Sequence, residues 1–235
     1  MLCRIAELNV EVPEAGGLAP RCRDYLCKTD ELPDFTIREE VYQLANWPDS
    51  SAETVAYMES GIQFYGWLLK FYGLMLHASA VEMEGRAYLF SGQCGMGKST
   101  HARLWQKAFG ERAQVFNDDK PALRLQDGQW YAYGTPWCGK DGINQNKKVA
   151  LAGICFLKRG TENSIRQLSA GEAIQNIVPQ TLYKLTSTGK LDRMLLLVEK
   201  LVEQIPVFEL YSVPTEAAAH LSHDTMLSAA KELGL

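Results

Sequence analysis

The segment SGQCGMGKST at residues 91–100 constrains the fold of this chain more than any other, because it fits the pattern G-x-x-x-x-G-K-[ST]. The apolar run YLF precedes it, and THARLWQKAFG follows it and predicts a short helix over 100–110 that ends at Gly110. A strand before the loop and a helix after it are the context in which this pattern forms a phosphate-holding loop.

The residue types of this loop suit the binding of phosphate oxygens. Glycines allow backbone N–H groups to turn inward, and the start of the helix adds the positive end of its dipole. Lys98 would neutralise charge on the outer phosphates, and the Ser99 hydroxyl is placed to bind magnesium. We therefore expect nucleotide phosphates to bind at Gly92, Gln93, Cys94, Gly95, Met96, Gly97, Lys98, Ser99 and Thr100.

Two adjacent acids follow about twenty residues later, in the segment FNDDK at 116–120. They end an apolar strand, where unpaired carboxylates are costly to bury. A magnesium ion and a lysine would offset that cost. One of Asp118 and Asp119 could then orient the metal, and the other could accept a proton from an attacking hydroxyl. The alternative is an exposed acidic turn.

The rest of the chain predicts an α/β fold with a mixed sheet, because hairpins and buried strands alternate with helices. Strands at 78–83 and 86–91 form a predicted hairpin that turns at Glu84-Gly85, and a second hairpin turns at Asp127-Gly128. Strands are predicted over 113–119, 149–159 and 206–211, the first two of them buried. Helices are predicted over 51–73 (capped by Ser50 or Ser51), 169–180, 191–204 and 214–233.

Residues 1–48 alternate short apolar patches with turn formers, which predicts short strands in an antiparallel layer. We therefore expect a small N-terminal β-rich segment, residues 1–60, packed on a core domain of residues 61–235. Its position before the core and its short strands suggest a recognition layer, where a peptide could add to an exposed sheet edge.

Composition limits the classes of partner. The chain has 235 residues, 46% of them hydrophobic, and a formal net charge of -4, which argues against nucleic-acid binding by bulk electrostatics. No apolar run is long enough to span a membrane, and the N-terminus lacks the pattern of a signal peptide. The expected location is the cytoplasm.

The segment GTPWCGK at 134–140 predicts a compact turn. Gly134 and Gly139 bracket it, and Trp137 would offer a flat surface. Lys140 could reach a phosphate or an acidic group of a substrate, or it could be an exposed lysine on a packed turn. Two further lysines, Lys147 and Lys148, lie on a polar loop that is either a clamp or solvated.

Several motifs together resemble the catalytic domain of HPr kinase/phosphorylase, whose core is shared with the phosphoenolpyruvate carboxykinases. They are the loop, the paired acids and His77, fifteen residues before Gly92. The motifs LHASAV, FSGxxGxGKSTH, LW, NDDKPALR, GTPWCGK and FLKRG…N…I are similar still more closely to small bacterial proteins related to HPr kinase, some of which phosphorylate a peptide serine. The resemblance covers residues 74–160 well and the rest weakly.

The resemblance implies a P-loop kinase core of this type and a role for each matching residue. Lys98 and the loop amides would bind the β- and γ-phosphates of ATP, and Ser99 and Asp119 would hold Mg²⁺. Asp118 would be the general base on the acceptor hydroxyl, and His77 would lie near the transferred phosphate. The resemblance also allows a homo-oligomer, because HPr kinases form hexamers.

The chain departs from HPr kinase in one segment. That family has a Glu-Ile-Arg-Gly segment after the acids, whose glutamate helps bind metal, whereas the comparable region here is YGTPWCGK, with no acid. The resemblance therefore does not carry over the second metal contact, the phosphorylase reaction or HPr as the acceptor.

Three functions fit the sequence. The first is an ATP- and Mg²⁺-dependent kinase that acts on a hydroxyl, on a serine of a peptide or protein or on a small molecule. The second is a carboxykinase acting on a keto acid, for which the chain is less than half the usual length. The third is a nucleotide-dependent switch or binding protein without phosphotransfer.

Overall fold

The computed structural model describes residues 1–14, 17–43, 45, 47–182 and 187–235. Within these residues the strands form a nine-stranded sheet and a separate three-stranded sheet. The strands are β1 (Leu2–Ile5), β2 (Leu8–Glu11), β3 (Phe35–Thr36), β4 (Gly73–Met75), β5 (Ala78–Met83), β6 (Arg86–Ser91), β7 (Ala113–Asp119), β8 (Ala122–Gln126), β9 (Gln129–Tyr133), β10 (Lys148–Arg159), β11 (Ser164–Gln167) and β12 (Val207–Ser212). The helices are α1 (Leu18–Arg21), α2 (Ala52–Leu68), α3 (Lys98–Phe109), α4 (Ala170–Ile177), α5 (Thr188–Gln204) and α6 (Glu216–Glu232).

The large sheet is mixed, which confirms the expected α/β class. Its main path runs β4-β8-β9-β10-β6-β5-β7, and β12 joins the far half of β10 with β11 beside it. β10 pairs in parallel with β6 and β12 and antiparallel with β9. The strand is apolar nearly throughout because both faces are covered: α4 and α5 pack on one face, and α3 and α6 pack on the other.

Both predicted hairpins are confirmed, β5 with β6 and β8 with β9. Their turn residues Glu84, Gly85, Asp127 and Gly128 all have positive φ, as such two-residue turns require. The predicted helices are also present, with shifted ends. In particular, the helix after the glycine-rich loop begins at Lys98 rather than at residue 100.

The helix predicted over 51–73 ends earlier. Ser51 caps α2, because its side chain accepts a hydrogen bond from the Thr54 N–H, but α2 stops at Leu68. A 3₁₀ turn follows, and Tyr72 has a left-handed φ of 55°. Gly73 then starts β4, which pairs with β8. A side chain at Gly73 would collide with the Leu123 carbonyl of β8, so β4 and β8 approach closely at this residue. The helix therefore has to end before Gly73.

The N-terminal layer corrects the prediction of purely antiparallel strands. β1 and β2 are antiparallel, but β2 and β3 are parallel. Between β2 and β3 the chain forms α1 and a 3₁₀ turn at Arg23–Tyr25. Parallel neighbours need a crossover, and these helical turns supply it.

The strand order brings four chain segments to one edge of the large sheet. β6 and β10 are parallel, so Ser91 and Arg159 end at the same edge. Ala78, at the start of β5, lies opposite both Ser91 and Asp119. The loop after β6, the start of β5 and the acids at the end of β7 therefore meet.

Among the described residues, no helix is long and apolar enough to span a membrane.

Candidate active site

The glycine-rich loop is a tight turn between β6 and α3. Gly92, Gly95 and Gly97 have φ values of 143°, 79° and 93°, which favour glycine. A side-chain carbon at Gly92 would lie 3.2 Å from the Leu157 carbonyl of β10, so the loop also needs glycine to pass this strand. The sequence pattern therefore fixes a backbone shape here, and its glycines are explained by that shape.

Lys98 folds back over this loop. Its Nζ donates to the Gly92 carbonyl at 3.1 Å and lies 3.4 Å from the Gln93 carbonyl. Burial lowers the pKa of Lys98, while the nearby Asp119 and Cys94 act in the opposite direction. The ammonium group is thus held at the mouth of the loop, where an anion bound by the loop amides would meet it.

Asp118 is buried at the end of β7 and faces two hydroxyls. Its Oδ1 accepts a hydrogen bond from Ser99 Oγ at 3.1 Å and another from Ser79 Oγ. Its Oδ2 points the other way, since a side-chain carbon at Gly139 would lie 3.5 Å from it. One carboxylate thus has one oxygen toward the loop serine and the other toward the 138–141 segment.

Asp119 makes different contacts. Its carboxylate accepts from His77 Nε2 at 2.8 Å and pairs with Lys120. Burial alone would raise the pKa of Asp119, but the hydrogen bond from His77 and the charge of Lys120 outweigh burial and hold that pKa well below its usual range. Asp119 is therefore ionised at neutral pH and fixes the His77 ring.

These groups line one open cavity of about 580 Å³, which lies within the usual size of ligand sites. The five residues expected from the sequence to be catalytic are all in its lining. The lining comprises His77, Cys94, Gly95, Gly97, Lys98, Ser99, Thr100, Arg103, Asp118, Asp119, Gly139, Lys140 and Asp141. Of the nine loop residues expected to bind phosphates, Cys94, Gly95, Gly97, Lys98, Ser99 and Thr100 are included.

The wall opposite the loop is the segment Cys138–Asp141, and residues of the N-terminal layer and α2 hold it. The Cys138 carbonyl accepts hydrogen bonds from Arg21 Nη1 and Tyr57 Oη, both at 2.8 Å. On the other side, the Gly139 N–H donates to the Asp118 carbonyl at 2.7 Å. The wall is therefore tied both to the acids and to residues far away in sequence.

Several residues at this site were not among the candidates that the sequence motifs indicate. Arg103 pairs with Asp141 across the cavity mouth. Lys120 pairs with Asp119 and lies 3.3 Å from Tyr57 Oη. Asp141 could have been inferred from the sequence, because it directly follows Lys140, which was already a candidate site residue. For Arg21 and Tyr57 it holds none, because they reach the site only through the fold.

Two expectations about the neighbouring segments need correction. Trp137 does not offer a flat surface: it is fully buried, and its ring stacks on Phe64 at 4.6 Å between centroids. The lysines of the polar loop do not form a clamp. Lys147 pairs with Glu82, and Lys148 pairs with Glu7 at 3.0 Å.

The donor set fits a magnesium ion of the kind that nucleotides carry. Ser99 Oγ and Asp118 Oδ1 are oxygen donors 3.1 Å apart, and Mg²⁺ prefers oxygen ligands. No group of three or more His, Cys, Asp and Glu side chains suited to a metal occurs in the described part of the chain.

Comparison with known proteins finds little similarity. No protein-family model and no curated protein matches this chain. Among solved structures, the Hpr(Ser) kinase/phosphatase from Coxiella burnetii is similar, with 11% sequence identity and a TM-score of 0.38. The match covers 66% of this chain and 97% of that protein's chain.

Proposed function

We propose that this protein is a phosphotransferase that uses ATP and magnesium and moves the γ-phosphate onto a hydroxyl, on a serine of a peptide or protein. The observation that carries the proposal is the position of Asp118. It contacts Ser99 of the glycine-rich loop with one oxygen and, with the other, faces the segment Cys138–Asp141, which we call the acceptor wall. A carboxylate between a phosphate loop and an open cavity is what hydroxyl phosphorylation requires.

The loop amides and Lys98 bind the phosphates and neutralise their charge. Phosphoryl transfer depends mainly on such positioning and charge stabilisation. Ser99 and Asp118 would hold magnesium, with Asp119 as the neighbouring acid; the ion would supply positive charge that stabilises the charge developing on the phosphates. The contact with Ser99 favours Asp118, beside Asp119, as a carboxylate for this ion.

The transfer step uses Asp118 Oδ2 as the general base. Oδ2 accepts the proton of the acceptor hydroxyl while its oxygen bonds to the γ-phosphorus. The bond between the γ-phosphorus and the oxygen bridging it to the β-phosphate breaks, and ADP leaves. His77, held by Asp119, and Lys140, exposed on the wall, line the same cavity and can contact the transferred group.

A nucleotide switch is the second candidate, and the tie between the site and the N-terminal layer favours it. Arg21 and Tyr57 hold the wall at Cys138, so a bound phosphate could change the position of that layer. A switch of this kind needs nucleotide binding but no transfer. The two candidates therefore differ in what happens to the phosphate.

The test is a transfer assay with γ-labelled ATP and magnesium, using serine-containing peptides and free serine as acceptors. We expect label on a hydroxyl with the wild type and at least a hundredfold less with Asp118→Asn, because a positioned base contributes about 10² to 10⁴ in rate. ATP binding measured without magnesium should be retained in Asp118→Asn, since loop and lysine are unchanged.

The matched control is Asp127→Asn, an acid-to-amide change on the exposed turn of a hairpin far from the cavity. It should transfer phosphate at the wild-type rate. Tight ATP binding with no label on any of these acceptors would favour the switch. Loss of magnesium-free ATP binding in Asp118→Asn would mean that Asp118 supports the phosphate site itself, so that the loss of transfer would not identify it as the base.

A further inference from the structure

Two serines hold Asp118, and one of them lies outside the cavity. Ser99 belongs to the glycine-rich loop and is half-buried, whereas Ser79 lies in β5, between β6 and β7, and is fully buried. Both hydroxyls donate to the same oxygen, Asp118 Oδ1. Ser79 is thus a buried polar contact of the general base that the transfer step does not itself use.

Ser79 is a polar residue at an apolar position of its strand. Successive residues of β5 face opposite sides of the sheet, so Ala78 and Ala80 pack under α4 and α5, and Val81 packs under α3 and α6. Ser79 lies on the same side as Val81. A hydroxyl buried there costs free energy unless it has a hydrogen-bond partner. Within the described residues its side chain makes one hydrogen bond, to Asp118.

The register of the sheet places this partner directly across from Ser79. Ser79 pairs with Asp118 of β7 on one side and with Phe90 of β6 on the other. Residues paired in this way carry their side chains on the same face, with Cβ atoms about 5 Å apart. A donor on a strand that is paired on both sides is held more precisely than a donor on a loop.

The main chain of Asp118 is also fixed, but its carboxylate keeps one free torsion. The Asp118 N–H donates to the Ile143 carbonyl at 3.1 Å, and the Asp118 carbonyl accepts from the Gly139 N–H at 2.7 Å. The torsion that turns the carboxylate plane is broad and has no sharp minima of its own. Hydrogen bonds to Oδ1 therefore set the plane, and with it the direction of Oδ2 toward the acceptor wall.

The two serines differ in what else they do in the proposed function, on which this inference rests. Ser99 would bind magnesium, and its loop has to receive the phosphates. Ser79 has neither task, because it is fully buried and lies outside the lining of the cavity. Its hydrogen bond to Oδ1 is therefore independent of both the nucleotide and the acceptor.

We propose that Ser79 is a positioning residue for phosphate transfer, whose hydroxyl fixes the plane of the Asp118 carboxylate so that Oδ2 faces the hydroxyl of the acceptor. The proton of Ser79 stays in its hydrogen bond to Oδ1, and the acceptor proton goes to Oδ2. Without this bond the carboxylate turns about its torsion, and Oδ2 faces the acceptor for only part of the time. Transfer then slows although both ligands still bind.

The test measures kcat and KM for a serine-containing peptide, at saturating ATP and magnesium, with the wild type and Ser79→Ala. Alanine removes the hydroxyl and matches the alanines on either side of it in β5. We expect kcat to fall about tenfold, since a small misplacement of a reacting group costs up to about a hundredfold. KM and the affinity for ATP without magnesium should stay unchanged, because Ser79 contacts neither ligand.

Ser79→Thr is the conservative variant, because it keeps the hydroxyl. Its kcat should lie closer to the wild-type value than that of Ser79→Ala. The added methyl group enters a packed interior, where overpacking is destabilising. If it prevents folding, the kcat and KM of Ser79→Ala decide alone.

The matched control is Ser222→Ala, at another fully buried serine. The Ser222 hydroxyl donates to the Ala219 carbonyl at 3.0 Å and accepts from Trp105 Nε1 at 2.9 Å, on α6 and outside the lining of the cavity. Like Ser79→Ala, it removes a buried hydrogen bond and should unfold at lower urea concentration. Its kcat should equal that of the wild type.

The outcomes separate this inference from the proposed function. A folded Ser79→Ala protein with the wild-type kcat overturns the positioning role. An equal change in KM or ATP affinity, or a deficit that more magnesium removes, also overturns it, because the effect then lies in ligand or metal binding. An equal fall of kcat in Ser222→Ala overturns it in favour of general stability. A wild type that transfers no label to any acceptor overturns the proposed function itself.

Discussion

The backbone of Asp119 has a φ of 97°, a conformation that few non-glycine residues adopt. The contacts of its carboxylate with His77 and Lys120 offset this strain. Strained residues of this kind cluster at functional sites, where the surrounding structure holds them in place. Asp119 thus links the end of β7 to the geometry of the cavity.

This pairing predicts that the stability of the protein depends on pH through Asp119. The folded pKa lies below the unfolded one, so the stabilisation is complete above the unfolded pKa and is lost as pH falls toward the folded pKa. Asp119→Asn should lower the free energy of unfolding by about 1–3 kcal/mol at pH 7. The difference should shrink steadily as pH falls below about 4.

Urea unfolding at a series of pH values measures this difference. Asparagine also tolerates positive φ, so the variant removes the charge with little change in backbone preference. Asp127→Asn is the control, because Asp127 has a positive φ of 49° but is exposed on a turn. An Asp119→Asn deficit that stays constant with pH would show that the hydrogen bonds of this side chain, rather than its charge, set its contribution to stability.

The residues of the site could be predicted from sequence wherever the chemistry is local. Gly92, Lys98 and Ser99 follow from a pattern whose glycine positions match the backbone shape. The resemblance assigned Asp119 to the metal beside Ser99, but local pattern does not decide between the two acids, because adjacent strand residues face opposite sides and sequence alone does not say which side the loop occupies. The structure places Asp118, not Asp119, against Ser99.

At the scale of elements, the wall Cys138–Asp141 depends on α1 and α2. Arg21, at the end of α1, donates to the Cys138 carbonyl, and its guanidinium lies 4.9 Å from the ring centre of Tyr57. Tyr57, on α2, donates to the same carbonyl. Two elements of the N-terminal part therefore set the position of Lys140.

Arg21→Gln should lower phosphate transfer about fivefold to tenfold while ATP affinity stays unchanged. The reason is that one hydrogen bond holding the acceptor wall, worth about 1 kcal/mol net, is lost on the side away from the phosphate loop. Transfer rate and ATP binding measured on the same preparations check this. Arg23→Gln, on the exposed face of the next turn, is the control.

An equal loss of phosphate transfer in Arg21→Gln and Arg23→Gln would show that the effect comes from the lost positive surface charge. Loss of ATP affinity in Arg21→Gln would place Arg21 in the nucleotide site and contradict its role at the wall.

The elements differ in how well sequence predicted them, and the reason is physical. Hairpins and amphipathic helices are defined by near neighbours, so β5, β6, β8 and β9 follow from local pattern. The layer β1–β3 could not be predicted from local pattern, because its parallel pairing joins residues 10 and 35 across a crossover. The burial of Trp137 was not predicted for a similar reason, because the Phe64 ring that stacks on it belongs to a helix distant in sequence.

At the scale of the whole molecule, the N-terminal layer and the large sheet share one hydrophobic cluster. Ile5, Val10 and Phe35 of the small sheet belong to the same buried cluster as Phe64 and Trp137. Polar contacts cross the same boundary, since Tyr133 Oη donates to Glu7 Oε2 at 2.7 Å. A layer that completes the core of its neighbour cannot open without exposing apolar surface.

We therefore predict that residues 1–60 and 61–235 unfold together. Thermal unfolding followed by far-ultraviolet circular dichroism and by tryptophan fluorescence, which includes the buried Trp137, should give one coincident transition. Phe35→Ala should lower the stability of the entire protein by about 3–5 kcal/mol, because a buried aromatic ring is removed from the shared cluster.

Leu32→Ala, at a leucine 88% exposed in the same layer, is the control and should leave the transition unchanged. An early transition that Phe35→Ala shifts alone would show that the layer is an independent unit. In that case the N-terminal layer would dock onto an already folded large sheet and bring Arg21 to the wall. Phosphate transfer would then fall at temperatures where the large sheet is still intact. A single transition means that the acceptor wall and the phosphate loop form in one cooperative step, so the site exists only when both sheets are folded.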